Sequence, residues 1–100
     1  MILDWTELSP RANKTSDMLK WKASFSKAER RVLIRKTLQY QKARKHGMST
    51  ISSQLLIAVS QTEKPEIIIS SNGKCGMSYV QFEEMQLAIG EAMEYLKTAE

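Results

Sequence analysis

Between Phe82 and Leu96 the apolar residues Phe82, Met85, Ile89, Ala92 and Leu96 recur at spacings of three and four, with Ala88 and Met93 filling the same stripe. A helix carrying such a stripe must lay it on something, so the rest of the chain has to supply an apolar surface of matching size. Glu83, Glu84, Glu91 and Glu94 fall on the opposite face. Ser78 and Gln81 have the spacing of a capping box at the start, and the acids at 83 and 84 suit the positive end of the helix dipole. Gly90 lies off the stripe and costs the helix about 1 kcal/mol relative to alanine.

The surface that receives the helix is expected to be a sheet. Met18 to Ser26 alternates, with Leu19, Trp21, Ala23 and Phe25 on one side and Lys20, Lys22, Ser24 and Ser26 on the other. Residues 27–45 admit two readings. Ser26 with Glu29 has capping-box spacing and the segment is rich in helix formers before Gly47, so a basic helix is one. Wound as a helix, however, Val32, Leu33, Ile34, Leu38 and Tyr40 scatter around the circumference. As a strand, Val32, Ile34, Leu38 and Tyr40 share a face and only Leu33 is apolar on the other, which favours the strand. With a turn at Lys27 to Arg30, Phe25 then pairs with Val32, Ala23 with Ile34 and Leu19 with Leu38.

Gln41 to Ser49 is expected to be a loop or fraying end, and Ser53 to Gln61 alternates as a mostly buried strand. Glu66 to Ser70 is rich in β-branched residues, and Asn72-Gly73 predicts a two-residue hairpin turn that pairs Ser71 with Lys74 and Ile68 with Met77. In that register Ile68 and Met77 face the core while Ile67 and Ile69 face away. The predicted fold class is α+β, an antiparallel sheet of four to five strands with a C-terminal amphipathic helix, residues 27–45 being alternatively a basic helix. One hundred residues form a single domain, with residues 1–17 as an N-terminal arm in which Ile2, Trp5 and Leu8 make a short helical turn or an extended stretch ended by Ser9-Pro10. Docking of that arm on the domain's own core is the commoner outcome.

Charge is distributed unevenly. Residues 11–45 hold twelve Lys or Arg against two acids, a net of +10, whereas residues 1–10 sum to −2 and residues 46–100 to −4. No apolar run has the length of a membrane span and the N-terminus lacks the order of a signal peptide, so no membrane association and a cytoplasmic location are expected. The single cysteine, Cys75, permits no internal disulfide and no cysteine-based zinc cluster. It reads as a small strand residue rather than a reactive thiol. The one histidine, His46, sits in a basic loop and reads as a surface residue. No metal, cofactor or phosphate-loop motif is present, and the carboxylates form a solvated helix stripe rather than an acid–base pair. An enzyme is not expected.

The suggestive feature is the basic face. Lys22 lies directly across from Arg35 and Ser26 from Arg31, with Lys20 adjacent, and like charges opposed on a ribbon are destabilising unless an anion neutralises them. Arg30, Lys42, Arg44 and Lys45 extend the candidate interface along a phosphate backbone. The bland reading is a solvated face. Trp21, Phe25 and Tyr40 fall on the inward side, leaving little on the outer face on which bases could stack. An acidic protein would fit the same charge, and Leu87, stranded among glutamates on the helix's polar side, is the candidate partner-binding residue for an adaptor or inhibitor.

The stretch Gly76-Met77-Ser78-Tyr79-Val80-Gln81-Phe82-Glu83-Glu84-Met85 resembles the last strand and helix entry of the positive-cofactor-four type of transcriptional coactivator, and Lys20-Trp21 to Val32-Leu33-Ile34 is similar to its opening hairpin. The resemblance implies antiparallel strands followed by a dimerising helix, and a homodimer whose basic strand surface grips single-stranded nucleic acid. This chain departs from that pattern by a further strand around Leu55 to Val59 and by the lack of exposed aromatics. The expected function is that of a small nucleic-acid-binding regulatory protein, single strands included.

Overall fold

The computed structural model describes residues 3–15 and 18–98. Five strands, β1 (Thr6–Glu7), β2 (Lys22–Ser26), β3 (Arg31–Arg44), β4 (Gly47–Ser60) and β5 (Glu66–Ser71), form one antiparallel sheet in sequence order, followed by helix α1 (Tyr79–Thr98). The α+β architecture is therefore the one expected. Segment 27–45 is not helical. Its alternation settles on a turn at residues 27–30 and the long strand β3, with Phe25 opposite Val32 and Ala23 opposite Ile34. Ser26 does accept the Glu29 amide at 3.2 Å, but it closes a turn in which Arg30 takes a positive φ.

The chain from Gln41 to Ser49 is not a loop. β3 and β4 pair along their whole length, and only Lys45 and His46 bridge Arg44 and Gly47. Gly47 supplies a φ of 125°, a region that side chains disfavour. This ribbon gives a molecule 55 Å long and 24 Å in its other two dimensions.

Ala23, Val32, Ile34, Leu38, Leu55, Ile57 and Val59 form the sheet's half of the core, and Met85, Ala88, Ala92 and Leu96 the helix's half. Burying each Val, Ile or Leu contributes about 1.5–3 kcal/mol relative to leaving it exposed. Both halves of the capping box form, Ser78 N–H donating to Gln81 Oε1 at 3.0 Å and Gln81 N–H to Ser78 Oγ at 3.1 Å. The helix is rotated from the expected stripe. Phe82 and Met93 are exposed, while Glu84 is fully buried and Glu91 partly so. Phe25 and Tyr95 pack with ring centroids 4.7 Å apart.

Three local expectations fail for identifiable reasons. β2 begins at Lys22 rather than Met18, because Asn13 intercepts the backbone of Trp21: the Trp21 amide donates to Asn13 Oδ1 at 2.8 Å, and Asn13 Nδ2 donates to the Trp21 carbonyl at 3.2 Å. Leu19 therefore never reaches Leu38. Its carbonyl instead accepts the ammonium of Lys36, whose stem lies buried between Ile34 and Leu38 on the apolar face. The hairpin at Asn72-Gly73 does not form either. Asn72 prolongs the β4 ladder, exchanging bonds with Gln54, and residues 74–78 then cross to the helix side, where Ser53 Oγ donates to the Lys74 carbonyl at 2.7 Å. Asn-Gly turns the chain over the sheet instead of back along it. Consequently Ile67 and Ile69 align with Val59 and Ile57 on the helix side, and Ile68 lies on the opposite face with Ala58. Met77 does pack against the core, and Cys75 sits in the crossing segment rather than in a strand.

The arm is extended and docks on its own domain. Thr6 and Glu7 pair with Ala23 and Lys22, Leu8 donates to the Trp21 carbonyl at 3.1 Å, and Ala12 is buried. Ile2, Ser16 and Asp17 lie outside the described residues.

Candidate nucleic-acid interface

The helix covers one face of the sheet, and side chains alternate, so the other face is the one left open. On it, cross-strand pairing sets Glu7, Lys22, Arg35, Leu56 and Ser70 in one row across all five strands. Lys22 and Arg35 are directly opposed, as the sequence indicates. Neither forms a salt bridge among the described residues, although Glu7 across from Lys22 offsets part of their charge. Arg31 lies on the same face but its guanidinium pairs with Glu29 at 2.7 Å. Lys20 sits beside the row, its ammonium donating to the Thr15 carbonyl at 3.3 Å.

The arm adds a residue that the strand alternation did not reveal. Trp5, two residues before Glu7 and so on the same face, lies with its ring centroid 4.4 Å from the Arg35 guanidinium carbon. The ring lines a depression of about 400 Å³ together with Arg35, Gln54, Leu56, Ser70, Ser71 and Asn72. A second depression of about 200 Å³ shares Arg35 and Gln54 and adds Lys20, Lys22 and Thr37. The two adjoin and form one shallow track with an aromatic and three cations. The open face therefore does carry an aromatic, contrary to the reading from β2 and β3 alone. The hint was Trp5 standing in an i, i+2 relation to a residue of an arm that pairs with β2.

Further along the ribbon the open face turns polar without charge. Gln54 donates to Thr37 at 3.3 Å, Gln39 to Ser52 at 3.3 Å and Gln41 to Thr50 at 2.9 Å, a ladder of amides and hydroxyls able to donate and accept.

The remaining candidate cations are not gathered at this track. By strand alternation Lys42 and Arg44 share the helix-side face of β3, Lys45 is in the distal turn with His46, and Arg30 is in the turn at the other end. Arg44 lies nine positions beyond Arg35, roughly 30 Å along the strand. The basic segment thus builds two separate patches. Leu87 is not stranded: it is half-buried against the core and borders a groove with Arg11, Gln86, Gly90, Glu91 and Glu94.

Among the described residues no cluster of His, Cys, Asp or Glu could hold a metal ion, and no helix is long and apolar enough to cross a membrane. Comparison with known proteins found no matching family model, no matching curated protein and no matching solved structure.

Proposed function

We propose that this chain is a small, non-catalytic nucleic-acid-binding protein of the cytoplasm that holds single strands across the open face of its sheet. The observation that carries the reading is the juxtaposition of the half-buried Lys22, Arg35 and Trp5 ring on the face of the sheet away from the helix. Cations attract the phosphate backbone, and an indole face stacks an unpaired base regardless of its identity. Duplexed bases offer no such face, so Trp5 favours single strands. The polar ladder of Thr37, Gln39, Gln41, Gln54, Ser52 and Thr50 supplies hydrogen-bonding groups beyond the cationic track. A dimeric state and a regulatory role, which the resemblance to the positive-cofactor-four type of coactivator implies, belong to the same proposal.

Fluorescence anisotropy of labelled single-stranded and duplex oligonucleotides tests it. Three phosphate contacts, from Lys20, Lys22 and Arg35, correspond on single strands to a loss of affinity of roughly twentyfold between 50 and 200 mM salt. The expected result is micromolar or tighter binding with that steepness and a preference for single strands. Absence of binding at the lower salt would sink the proposal and direct attention to an acidic protein docking on the same cations.

A further inference from the structure

β5 is an edge strand, and among the described residues no strand pairs with its outer side. Natural edges are commonly blunted by charge, proline or a bulge, yet no charged residue occurs between Glu66 and Lys74. Ile67, Ile68 and Ile69 are 44%, 52% and 53% exposed, so both faces of this strand are apolar and open. The Asn72 amide bonds to Gln54, which by antiparallel alternation turns the backbone groups of Ile67, Ile69 and Ser71 outward. On the helix side the exposed Phe82 and Met93 and the partly buried Ile89 share, by helical periodicity, the flank of α1 away from the Glu83 and Glu84 contacts to the arm.

We infer that this edge binds a second copy of the chain by antiparallel β5–β5 pairing, giving a continuous ten-stranded sheet. The triplet Ile67-Ile68-Ile69 reads the same in either direction, so a copy run antiparallel and centred on Ile68 sets isoleucine against isoleucine on both faces. A two-fold pairing is isologous and closes, using up both edges without propagating. Charge agrees with this arrangement. Glu63 precedes the strand and Glu66 opens it, with Lys64 between them 3.9 Å from the Glu66 carboxylate, and Lys74 follows the strand, so antiparallel copies bring a start that keeps a net negative charge toward the basic end of the other. The helices also fit. α1 lies over β3 and β4, so its copy would stand four strand spacings away, about 19 Å, leaving roughly 8 Å between helix surfaces. Phe82, Ile89 and Met93 of both helices face that gap above the four seam isoleucines.

The pairing does not require the nucleic-acid reading. It would, however, put both open faces on one side of the sheet, with the two Arg35 positions about 27 Å apart, five strand spacings across and four residues along.

Sedimentation equilibrium of the full chain without nucleic acid, at micromolar concentrations, is the first test. A mass twice that of one chain supports the pairing and a monomer overturns it. Replacing both Ile67 and Ile69 with lysine sets like charges opposite each other and should raise the dimer dissociation constant about a hundredfold or more. A double variant that keeps its circular dichroism and stays dimeric refutes this seam. A second measurement does not depend on how lysines are tolerated. In a Cys75→Ser background, Ile68→Cys should oxidise to an intermolecular disulfide, because a non-hydrogen-bonded pair at the axis brings the two β-carbons within reach. Ser70→Cys, placed opposite Glu66, should not. Equal cross-linking at both positions, or none at 68, overturns the register. A dimer that binds no oligonucleotide would remove the nucleic-acid reading and leave the pairing, and a monomer that binds one would remove the pairing and the dimeric state and leave the nucleic-acid reading.

Discussion

Removing the Glu84 carboxylate should loosen the arm that carries Trp5, linking stability to the candidate interface through one side chain. Glu84 is fully buried on the helix, where it accepts the Thr15 amide at 2.8 Å and the Thr15 hydroxyl at 3.2 Å. Hydrogen bonds to a charged group contribute about 1.5–3 kcal/mol each, but Thr15 is only half-buried and water replaces part of what is lost. The neighbouring Lys14–Glu83 pair is about half exposed on both partners and contributes little, about 0–1 kcal/mol. Glu84→Ala should therefore cost about 1–3 kcal/mol, a sizeable share of the 5–15 kcal/mol typical of a domain. With a urea m-value near the lower end for small proteins, the midpoint should fall by about 1–2 M. Glu84→Gln keeps an oxygen for the Thr15 amide and should lose less than half as much. The same variants should weaken oligonucleotide binding, since Thr15 and Asn13 together tie down the arm between Trp5 and β2. A midpoint for Glu84→Ala within about 0.2 M of wild type would refute the idea that this clasp holds the arm.

The other expectations concern single contacts. Trp5→Ala should weaken single-strand binding by about 1–3 kcal/mol while leaving duplex binding nearly unchanged, as read by anisotropy on both oligonucleotides. Equal losses on the two would show that Trp5 acts through Arg35 and not by stacking. Ser78→Ala removes one half of the capping box and should lower stability by about 1 kcal/mol in thermal or urea unfolding, with no change in binding. Replacing Lys42, Arg44 and Lys45 together with alanine should leave the salt dependence at roughly twentyfold between 50 and 200 mM, because those cations stand apart from the track. If they did join it, six contacts in the wild type would give a dependence of roughly three-hundredfold, and the triple variant would reduce it.

Much of the sheet was legible because its alternation is strict where both neighbours are strands. Val32, Ile34 and Leu38 mark one face of β3, and matching them to Ala23 and Phe25 fixes the β2–β3 register. The failures occur where a tertiary contact competes with a local pattern. Leu19 and Trp21 continue the alternation of β2, but Asn13 binds the Trp21 backbone and ends the strand. Asn72-Gly73 is a turn signal without a direction, and only the need to bring α1 over β3 and β4 decides that the chain crosses the sheet. Lys36 and Glu84 occupy apolar faces with a charged group, which periodicity alone reads as an error in the stripe. Their long side chains explain both cases: the stem packs in the core and the polar end reaches a partner in the segment leading into β2, at Leu19 and Thr15 respectively.

The interface was half legible for a related reason. Strand parity alone puts Lys22, Arg31 and Arg35 on one surface, and pairing confirms their placement. The same parity separates Lys42 and Arg44 from them, so a run of cations that is contiguous in sequence divides between two faces of one strand. Trp5 shows the converse, since it is thirty residues from Arg35 yet meets it, because β1 and β2 carry it across the sheet. Charge counted along the chain therefore overstates the size of the cationic track and omits its aromatic. What gives the surface its selectivity on the proposed reading is the contact between Trp5 and Arg35. One supplies a flat apolar face, the other a delocalised cation, and a single unpaired nucleotide offers a base for the first and a phosphate for the second.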